Sequence, residues 1–178
     1  MCADPQWLPD MAVVDPWQHG GQGDTYAMLY EIFQRDLVQS QLRYDGHEVW
    51  HFPEMEDGKV KLFWHLTSRD QVIKHVPRHK QKYAAAIQQP ERLPDLRRSE
   101  RLPWVRPIIE NATNPEVAAW DYLEGDGNTK TYVWLKDYDF VVIMKRYPDG
   151  RRRLITSFYV DNDYKQKDLE RKHTNRVV

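Results

Sequence analysis

The sequence of 178 residues has a single cysteine, no long hydrophobic run and no signal-peptide pattern. Because Cys2 has no second cysteine to pair with, an intramolecular disulfide cannot stabilise the fold, and a reducing cytosol is the expected setting. No apolar run reaches the roughly 18 residues that span a bilayer. Residues 1–16 lack the basic and apolar regions of a signal peptide. These absences predict an intracellular, cytoplasmic protein that does not enter a membrane.

Charge is unevenly distributed along the chain, although the net charge is only −1. Residues 1–58 carry two Lys/Arg against eleven Asp/Glu, and residues 59–106 carry twelve against four. Residues 107–139 carry two against seven, and residues 140–178 carry ten against five. Two basic blocks on one face would attract a phosphate-bearing partner. The alternative is that basic and acidic blocks neutralise each other.

The sequence of residues 1–45 predicts an irregular N-terminal segment followed by one helix. Prolines and a run of glycines before Asp24 indicate irregular structure. Asp24 and Thr25 favour a helix start, and apolar side chains at helical spacing predict a helix over 25–42. We treat this segment as separate from an α+β domain over 46–178.

Two strands and a basic insertion follow the predicted helix. Residues that favour strands predict β-structure over 47–53 and 59–66, joined by an Asp-Gly pair that is typical of hairpin turns. Residues 67–92 are polar and basic, and they predict an insertion with one short helix near 80–88.

The remainder of the chain predicts short helices and then an antiparallel meander. The predicted elements are short helices around 97–101, from Pro103 and from Asn114, strands over 130–135, 140–147 and 151–160, and a helix over 161–174. The predicted fold class is therefore α+β, with N-terminal helices packed on a four- to five-stranded, mostly antiparallel sheet. A C-terminal β-meander followed by a helix completes it.

The run from His47 to His51 matches the H-E-x-x-H pattern of zinc hydrolases. On a helix, both histidines would meet one zinc ion and Glu48 would activate water. Gly46 precedes the run and Pro53 follows it, and in a strand residues four apart lie about 13 Å from each other. We therefore predict two histidines on a strand, and a zinc hydrolase using His47, Glu48 and His51 is the least favoured alternative.

Residues 63–69 predict a strand that ends at His65 and is followed by hydroxyls and Arg69. Cleavage of RNA without a metal needs a base for the 2′-hydroxyl, an acid for the leaving oxygen and cations for the phosphorane charge. His65 is our acid/base candidate and Arg69 a neighbouring cation. The alternative is that His65 is a structural residue at a strand end.

An arginine run follows the basic insertion. Arg97 and Arg101 stand four residues apart and share one face of a predicted helix, with Arg98 beside them. A guanidinium suits phosphate oxygens better than an ammonium does. The alternative is a solvated helix whose arginines pair with Glu100 and Asp95.

The last predicted strand carries a hydroxyl between apolar neighbours. Period-two alternation places Leu154, Thr156, Phe158 and Val160 on one face and Arg153, Ile155, Ser157 and Tyr159 on the other. The Thr156 hydroxyl then needs a partner, and a substrate phosphate is one candidate. The alternative is that a β-branched residue serves strand propensity alone.

Together these segments resemble the phage-associated barnase/EndoU/colicin E5-D/RelE-like nucleases, the BECR-fold family. The resemblance rests on the helix-led region, the His/Arg run and a last strand that reads Arg-Leu-Ile-Thr-Ser-Phe-Tyr-Val. It covers 63–69, 94–110 and 132–161, and residues 1–45 lie outside it. Members of this family are small, metal-independent RNA-cleaving proteins of toxins and prophages.

The resemblance implies a set of site residues. These are His65 as the acid/base group, Arg97 and Arg101 as phosphate ligands, Thr156 as a substrate-orienting hydroxyl, and Arg69, Arg98 and Tyr159 as further substrate-binding residues. It also implies RNA as the partner, no metal or other cofactor, and an inhibitor or immunity protein as a second partner.

Two functions of different kinds follow from the sequence. The first is a metal-independent endoribonuclease of phage or mobile-element origin, acting as a toxin by general acid/base transesterification. The second is a non-catalytic prophage protein that binds RNA or another protein. Seven Trp and ten Tyr suit the second function as well, because aromatic side chains anchor interfaces and stack on bases.

Overall fold

The computed structural model describes residues 5–15, 18–70 and 92–177. The helices are α1 Gln22–Phe33, α2 Lys61–Thr67, α3 Leu96–Glu100, α4 Val105–Glu110 and α5 Asp163–Thr174. The strands are β1 Arg43–Tyr44, β2 His47–Trp50, β3 Met55–Glu56, β4 Lys59–Val60, β5 Ser68–Asp70, β6 Arg92–Pro94, β7 Val117–Leu123, β8 Thr129–Leu135, β9 Phe140–Arg146 and β10 Arg152–Tyr159. The short helix predicted near 80–88 lies outside the described residues, as does most of the basic insertion.

Six strands form one mixed sheet in the order β1-β2-β10-β9-β8-β7. Strands β2 and β10 are parallel, and every other neighbouring pair in this sheet is antiparallel. Two further antiparallel pairs, β3 with β4 and β5 with β6, form small sheets of their own. The predicted α+β class is confirmed. The predicted sheet size is wrong, because the sheet has six strands and includes one parallel pair.

The C-terminal meander and its helix are confirmed. Strands β8, β9 and β10 pair antiparallel in chain order, and α5 follows them. The turn from β9 to β10 has Gly150 at φ +87°, where a side chain would be strained. A Cβ at this position would also collide with the imidazole of His47 on the neighbouring strand β2.

Helix α1 begins at Gln22, earlier than predicted, and continues as one π-helical segment over Gln34–Val38. Leu29, Phe33 and Leu37 are buried at four-residue intervals. They belong to the same buried cluster as Phe63 and Phe140, so the helix packs into the core of the sheet.

The strand predicted over 59–66 is wrong. Only β4 is extended, and the chain then turns into α2. The buried side chains of α2 are Leu62, Phe63, Leu66 and Thr67, which is the spacing of one helical face. Alternate apolar residues from Val60 onward also fit a strand, but Phe63 breaks that alternation. His65 therefore lies in the last turn of a helix rather than at the end of a strand.

The short helix predicted from Asn114 is also wrong. The backbone N–H of Val117 donates to the carbonyl of Asn114 at 3.0 Å, which closes a turn, and β7 then pairs with β8 along its whole length. Trp120 and Tyr122 favour a strand when a neighbouring strand is present to receive them. Pairing with β8, which the local sequence does not reveal, makes this segment a strand.

The sheet separates two apolar clusters. One face packs against α1, α2 and α4. The buried cluster on this side includes Val133 and Phe140 of the sheet and Phe63 and Ile108 of the helices. The other face carries Trp120, Tyr132, Trp134 and Val141, which Leu169 of α5 covers. Each face of the sheet is therefore protected by helices, as a layered fold requires. No helix within the described residues is long and apolar enough to cross a membrane.

Strand β10 does not keep the simple alternation that the sequence predicted. Its register with β9 shifts between Leu154 and Thr156, which is a β-bulge. Leu154 pairs with Met144 and Ser157 pairs with Val142, so Leu154 and Ser157 share a face. The predicted common face for Leu154 and Thr156 is wrong for this reason.

A polar group on the second sheet face attaches α5 to the strands. The Lys172 ammonium donates to Glu124 at 3.0 Å and to the Tyr132 hydroxyl at 2.7 Å, and this hydroxyl donates to Glu124. Burial alone would raise the pKa of Glu124, but the hydrogen bonds from Tyr132 and Lys172 outweigh it and hold that pKa below its ordinary value of 4.5. Burial and the hydrogen bond to Glu124 raise the pKa of Tyr132 to about 12.

We expect Glu124→Gln to lower the free energy of unfolding at pH 7 by about 1–3 kcal/mol, because charge-assisted hydrogen bonds are lost. Since the pKa of Glu124 is lower in the folded state, its contribution is fully present above pH 4.5 and is lost as the pH falls. The difference between wild type and variant, measured by urea unfolding from pH 7 to pH 3, should shrink in acid. Glu116→Gln, at an exposed position, is the control. A difference that stays constant over this pH range would contradict the assignment.

Candidate active site

A cleft of about 290 Å³ opens between α2 and the first half of β10. It is lined by His51, Phe52, Glu54, Lys61, Leu62, His65, Arg153, Leu154 and Ile155. Helix α2 and the segment after β2 bring one histidine each, and β10 brings an arginine. We refer to these residues as the cleft.

His65 reaches the cleft from the last turn of α2, where its side chain is exposed. The backbone carbonyl of His65 accepts a hydrogen bond from Arg98 Nη1 at 2.9 Å. The Thr156 hydroxyl lies 3.4 Å from the same carbonyl. The end of the helix is therefore tied to both α3 and β10, and this fixes the backbone that carries His65.

His51 stands on the other side of the cleft, just after β2. Its ring packs 5.7 Å from the Phe33 ring, and its Nδ1 lies 3.0 Å from the Phe52 carbonyl. A proton on Nδ1 completes this hydrogen bond and leaves Nε2 as the nitrogen that accepts a proton. Two imidazoles that approach one cleft from different elements can act as an acid and a base.

Arg153 supplies the cleft with a cation. Its guanidinium lies 4.4 Å from the centroid of the Phe52 ring, and its Nε is buried without a hydrogen-bond acceptor. No carboxylate within residues 5–15, 18–70 and 92–177 forms an ion pair with it. Lys61, by contrast, pairs with Glu54 at 3.2 Å. Arg153 is thus the cation of the cleft whose charge is not already balanced by a described neighbour.

Arg97 and Arg101 lie elsewhere, against the far end of β10. Their guanidinium groups stand 4.6 and 4.8 Å from the Tyr159 ring, and Arg101 is also 5.2 Å from the Trp104 ring. We call Arg97, Arg101 and Tyr159 the Tyr159 cluster. It lies beside a second pocket of about 390 Å³ that Arg101, Trp104 and Tyr159 line. Leu154 in the cleft is separated from Tyr159 by about 16 Å of strand, so the predicted arginine pair does not share the cleft with His65.

Arg69 and Arg98 are joined to a buried carboxylate. The Asp95 carboxylate accepts a hydrogen bond from Arg69 Nε and lies 3.2 Å from Arg98 Nε. The hydrogen bond to Asp95 raises the pKa of Arg69 against the opposing effect of burial. A second carboxylate, Asp161, lies 3.6 Å from Arg69. Both arginines therefore have partners inside the fold, and their role in substrate binding stays a prediction.

The hydroxyls of Thr67 and Ser68, close to His65, donate hydrogen bonds to backbone carbonyls of α2. Thr67 Oγ1 donates to the Phe63 carbonyl at 2.9 Å, and Ser68 Oγ donates to the Trp64 carbonyl at 2.7 Å. Both residues are buried. Thr156 is only half-buried, and the structure places its hydroxyl next to the His65 backbone carbonyl. Its role as a substrate-orienting hydroxyl stays a prediction.

The H-E-x-x-H run lies on β2 and in the residue that follows it, as a strand rather than a helix. His47 Nδ1 stands 2.9 Å from the Asp45 carbonyl, whereas His51 faces the cleft. Within the part of the chain that the structure describes, no group of three or more His, Cys, Asp or Glu residues is arranged to hold a metal ion. The zinc alternative therefore has no supporting geometry there.

Sequence reasoning missed three of the four basic residues of the cleft: His51, Lys61 and Arg153. His51 was assigned only to the zinc pattern, and Arg153 was noted only as a residue of the last strand. A usable signal was present for His51, because it stands directly between Trp50 and Phe52 in the sequence. The parallel pairing of β2 with β10, Trp50 opposite Arg153, brings His51 and Arg153 together and is not visible in the sequence.

The chain was compared with protein-family models, with curated proteins and with solved structures, and no comparison gives a match.

Proposed function

We propose that this protein is a metal-independent endoribonuclease whose reaction takes place in the cleft. The observation that carries the proposal is that two imidazoles, His51 and His65, and an arginine without a described carboxylate partner, Arg153, line one cavity of about 290 Å³. This is the set of groups that RNA cleavage by transesterification requires. The resemblance of the sequence to BECR-fold nucleases agrees with it.

In the proposed reaction, the imidazole Nε2 of His51 removes the proton of a ribose 2′-hydroxyl. The 2′-oxygen attacks the adjacent phosphorus, and the bond from phosphorus to the 5′-oxygen breaks. The protonated imidazole of His65 delivers a proton to that leaving oxygen. The products are a 2′,3′-cyclic phosphate and a 5′-hydroxyl. Arg153, with Lys61 beside it, stabilises the negative charge that builds up on the phosphorane oxygens.

The Tyr159 cluster has a supporting role in this proposal. Arg97 and Arg101 bind phosphates of the same RNA molecule. These phosphates lie away from the scissile bond, because about 16 Å of β10 separates the cluster from the cleft. Thr156 holds the end of α2 and so positions His65, rather than touching the phosphate through its hydroxyl. Arg69 and Arg98 keep this region in place through Asp95.

We expect His51→Ala and His65→Ala each to lower the rate of cleavage of labelled RNA in excess EDTA by about 100- to 10,000-fold, because each removes one proton-transfer group. Gel electrophoresis of the products should show a cyclic phosphate end for the wild type. His47→Ala is the matched control, because His47 belongs to the H-E-x-x-H run but does not line the cleft. Full activity of His65→Ala, or loss of wild-type cleavage in EDTA, would overturn the proposal.

We expect Arg97→Ala and Arg101→Ala to weaken RNA binding and to reduce its dependence on salt. Each lost phosphate contact on a single strand lowers the slope of log Kd against log salt concentration by about 0.7. Fluorescence anisotropy with a labelled oligonucleotide at several salt concentrations measures this slope. Arg106→Ala is the control, because Arg106 is paired with Glu110 at 3.0 Å and lies outside the Tyr159 cluster. Unchanged slopes would remove these arginines from the binding surface.

The second function, binding of RNA without cleavage, is supported by the stacking of two guanidinium groups on Tyr159. Salt-dependent binding that is lost in the arginine variants, with intact RNA under all conditions, would establish it in place of catalysis. The phage origin and the existence of an inhibitor or immunity protein remain predictions of the resemblance.

A further inference from the structure

We propose that Phe52 and Arg153 form a stacking subsite for one nucleobase of single-stranded RNA at the mouth of the cleft. This inference rests on the proposed function, because it assigns the part of the substrate that lies next to the reacting phosphate. Neither residue was identified as a binding residue from the sequence.

Phe52 is a large apolar side chain that remains 50 % exposed although it borders a cavity. It follows β2 directly and precedes Pro53, which restricts the backbone at this point. The Trp50 ring meets it in a T-shaped contact at 5.2 Å, and Trp50 in turn lies 5.8 Å from the Tyr147 ring. The Trp50 ring thus packs against one side of the Phe52 ring, while half of the Phe52 surface stays exposed to solvent.

Arg153 adds a charge and a hydrogen-bond donor next to the Phe52 ring. Its planar guanidinium lies 4.4 Å from the centroid of the Phe52 ring. Its buried Nε has no acceptor among the described residues, which is unusual for a buried polar atom. An acceptor that arrives with a ligand, either a phosphate oxygen or a base edge, would satisfy this donor.

A nucleobase fits this combination better than other ligands do. It offers a flat π-face for Phe52, hydrogen-bond acceptors on its edge and an adjoining phosphate for the cation. The same ribose and phosphate would lie between His51 and His65, which line the same cavity. Because bases in a duplex are already stacked within the helix, only an unpaired base reaches Phe52. The subsite therefore selects single-stranded RNA.

Binding is measured by fluorescence anisotropy with a labelled DNA oligonucleotide, which lacks the 2′-hydroxyl and so remains intact. We expect Phe52→Ala to raise the Kd for the single strand by about 5- to 100-fold, the usual effect of one lost base stack. Binding to the same sequence as a duplex should not change. Tyr164→Ala is the control, because Tyr164 is an aromatic residue of α5 that is 82 % exposed.

An abasic oligonucleotide series tests the contact itself. One position after another is made abasic, and the position that weakens wild-type binding should have no effect on Phe52→Ala, since both changes remove the same contact. Circular dichroism spectra and thermal unfolding of the variant confirm that it folds.

The outcomes separate this inference from the proposed function. Weaker single-strand binding by Phe52→Ala supports the subsite even where wild-type protein cleaves no RNA, and the nuclease proposal alone then fails. Equal binding by Phe52→Ala and wild type overturns the subsite even where wild-type protein cleaves RNA. Equal loss with the single strand and the duplex overturns it as well, because a stacking site does not act on paired bases.

Discussion

The buried carboxylate of Asp95 holds together the segments that lie behind the cleft. Its side chain is 3 % exposed, and it accepts hydrogen bonds from the backbone N–H of Arg98 at 3.2 Å and from the Arg69 guanidinium. The Asp95 backbone N–H donates to the Thr67 carbonyl at 3.0 Å. A buried carboxylate is costly unless it is paired and hydrogen-bonded, so the two arginines are required where they are. The end of α2, which carries His65, is thereby fixed to β5 and α3.

The arginines near the cleft and in the Tyr159 cluster differ in their partners. Arg69 and Arg98 pair with the buried carboxylate of Asp95, which belongs to the same basic block of the sequence. The guanidinium groups of Arg153, Arg97 and Arg101 lie on aromatic rings, which do not neutralise their charge. Arg101 also pairs with Glu100 at 3.7 Å and donates to the Arg97 carbonyl at 3.1 Å. Lys61 comes from the first basic block and Arg153 from the second, and they line the same cleft. The two basic blocks therefore meet in the folded protein, but only some of their charges remain open to an anion.

The local sequence correctly predicted the elements whose apolar periodicity and turn residues indicate the same structure that packing favours. The helix around Leu29 and Phe33, the meander of β8 to β10 and the final helix all combine apolar periodicity with strong turn residues. It failed at α2 and β7, where two patterns compete. The run from Val60 to Leu66 carries a strand-like alternation that Phe63 breaks, and packing on β10 decides in favour of the helix. The segment at Trp120 becomes a strand because β8 is available as its partner.

For the site, the sequence alone supplied candidates for proton transfer and phosphate binding: the histidine at 65, the arginine runs and the hydroxyl at Thr156. Their grouping was decided by the tertiary structure. The parallel pairing of β2 with β10 puts Arg153 beside the segment that carries His51, and the turn of α2 adds His65. Arg97 and Arg101 lie against Tyr159 at the far end of β10, and the length of this strand separates them from the cleft. Composition and periodicity describe neighbours along the chain, whereas a reaction centre depends on side chains brought together from distant strands, which only packing and strand register determine.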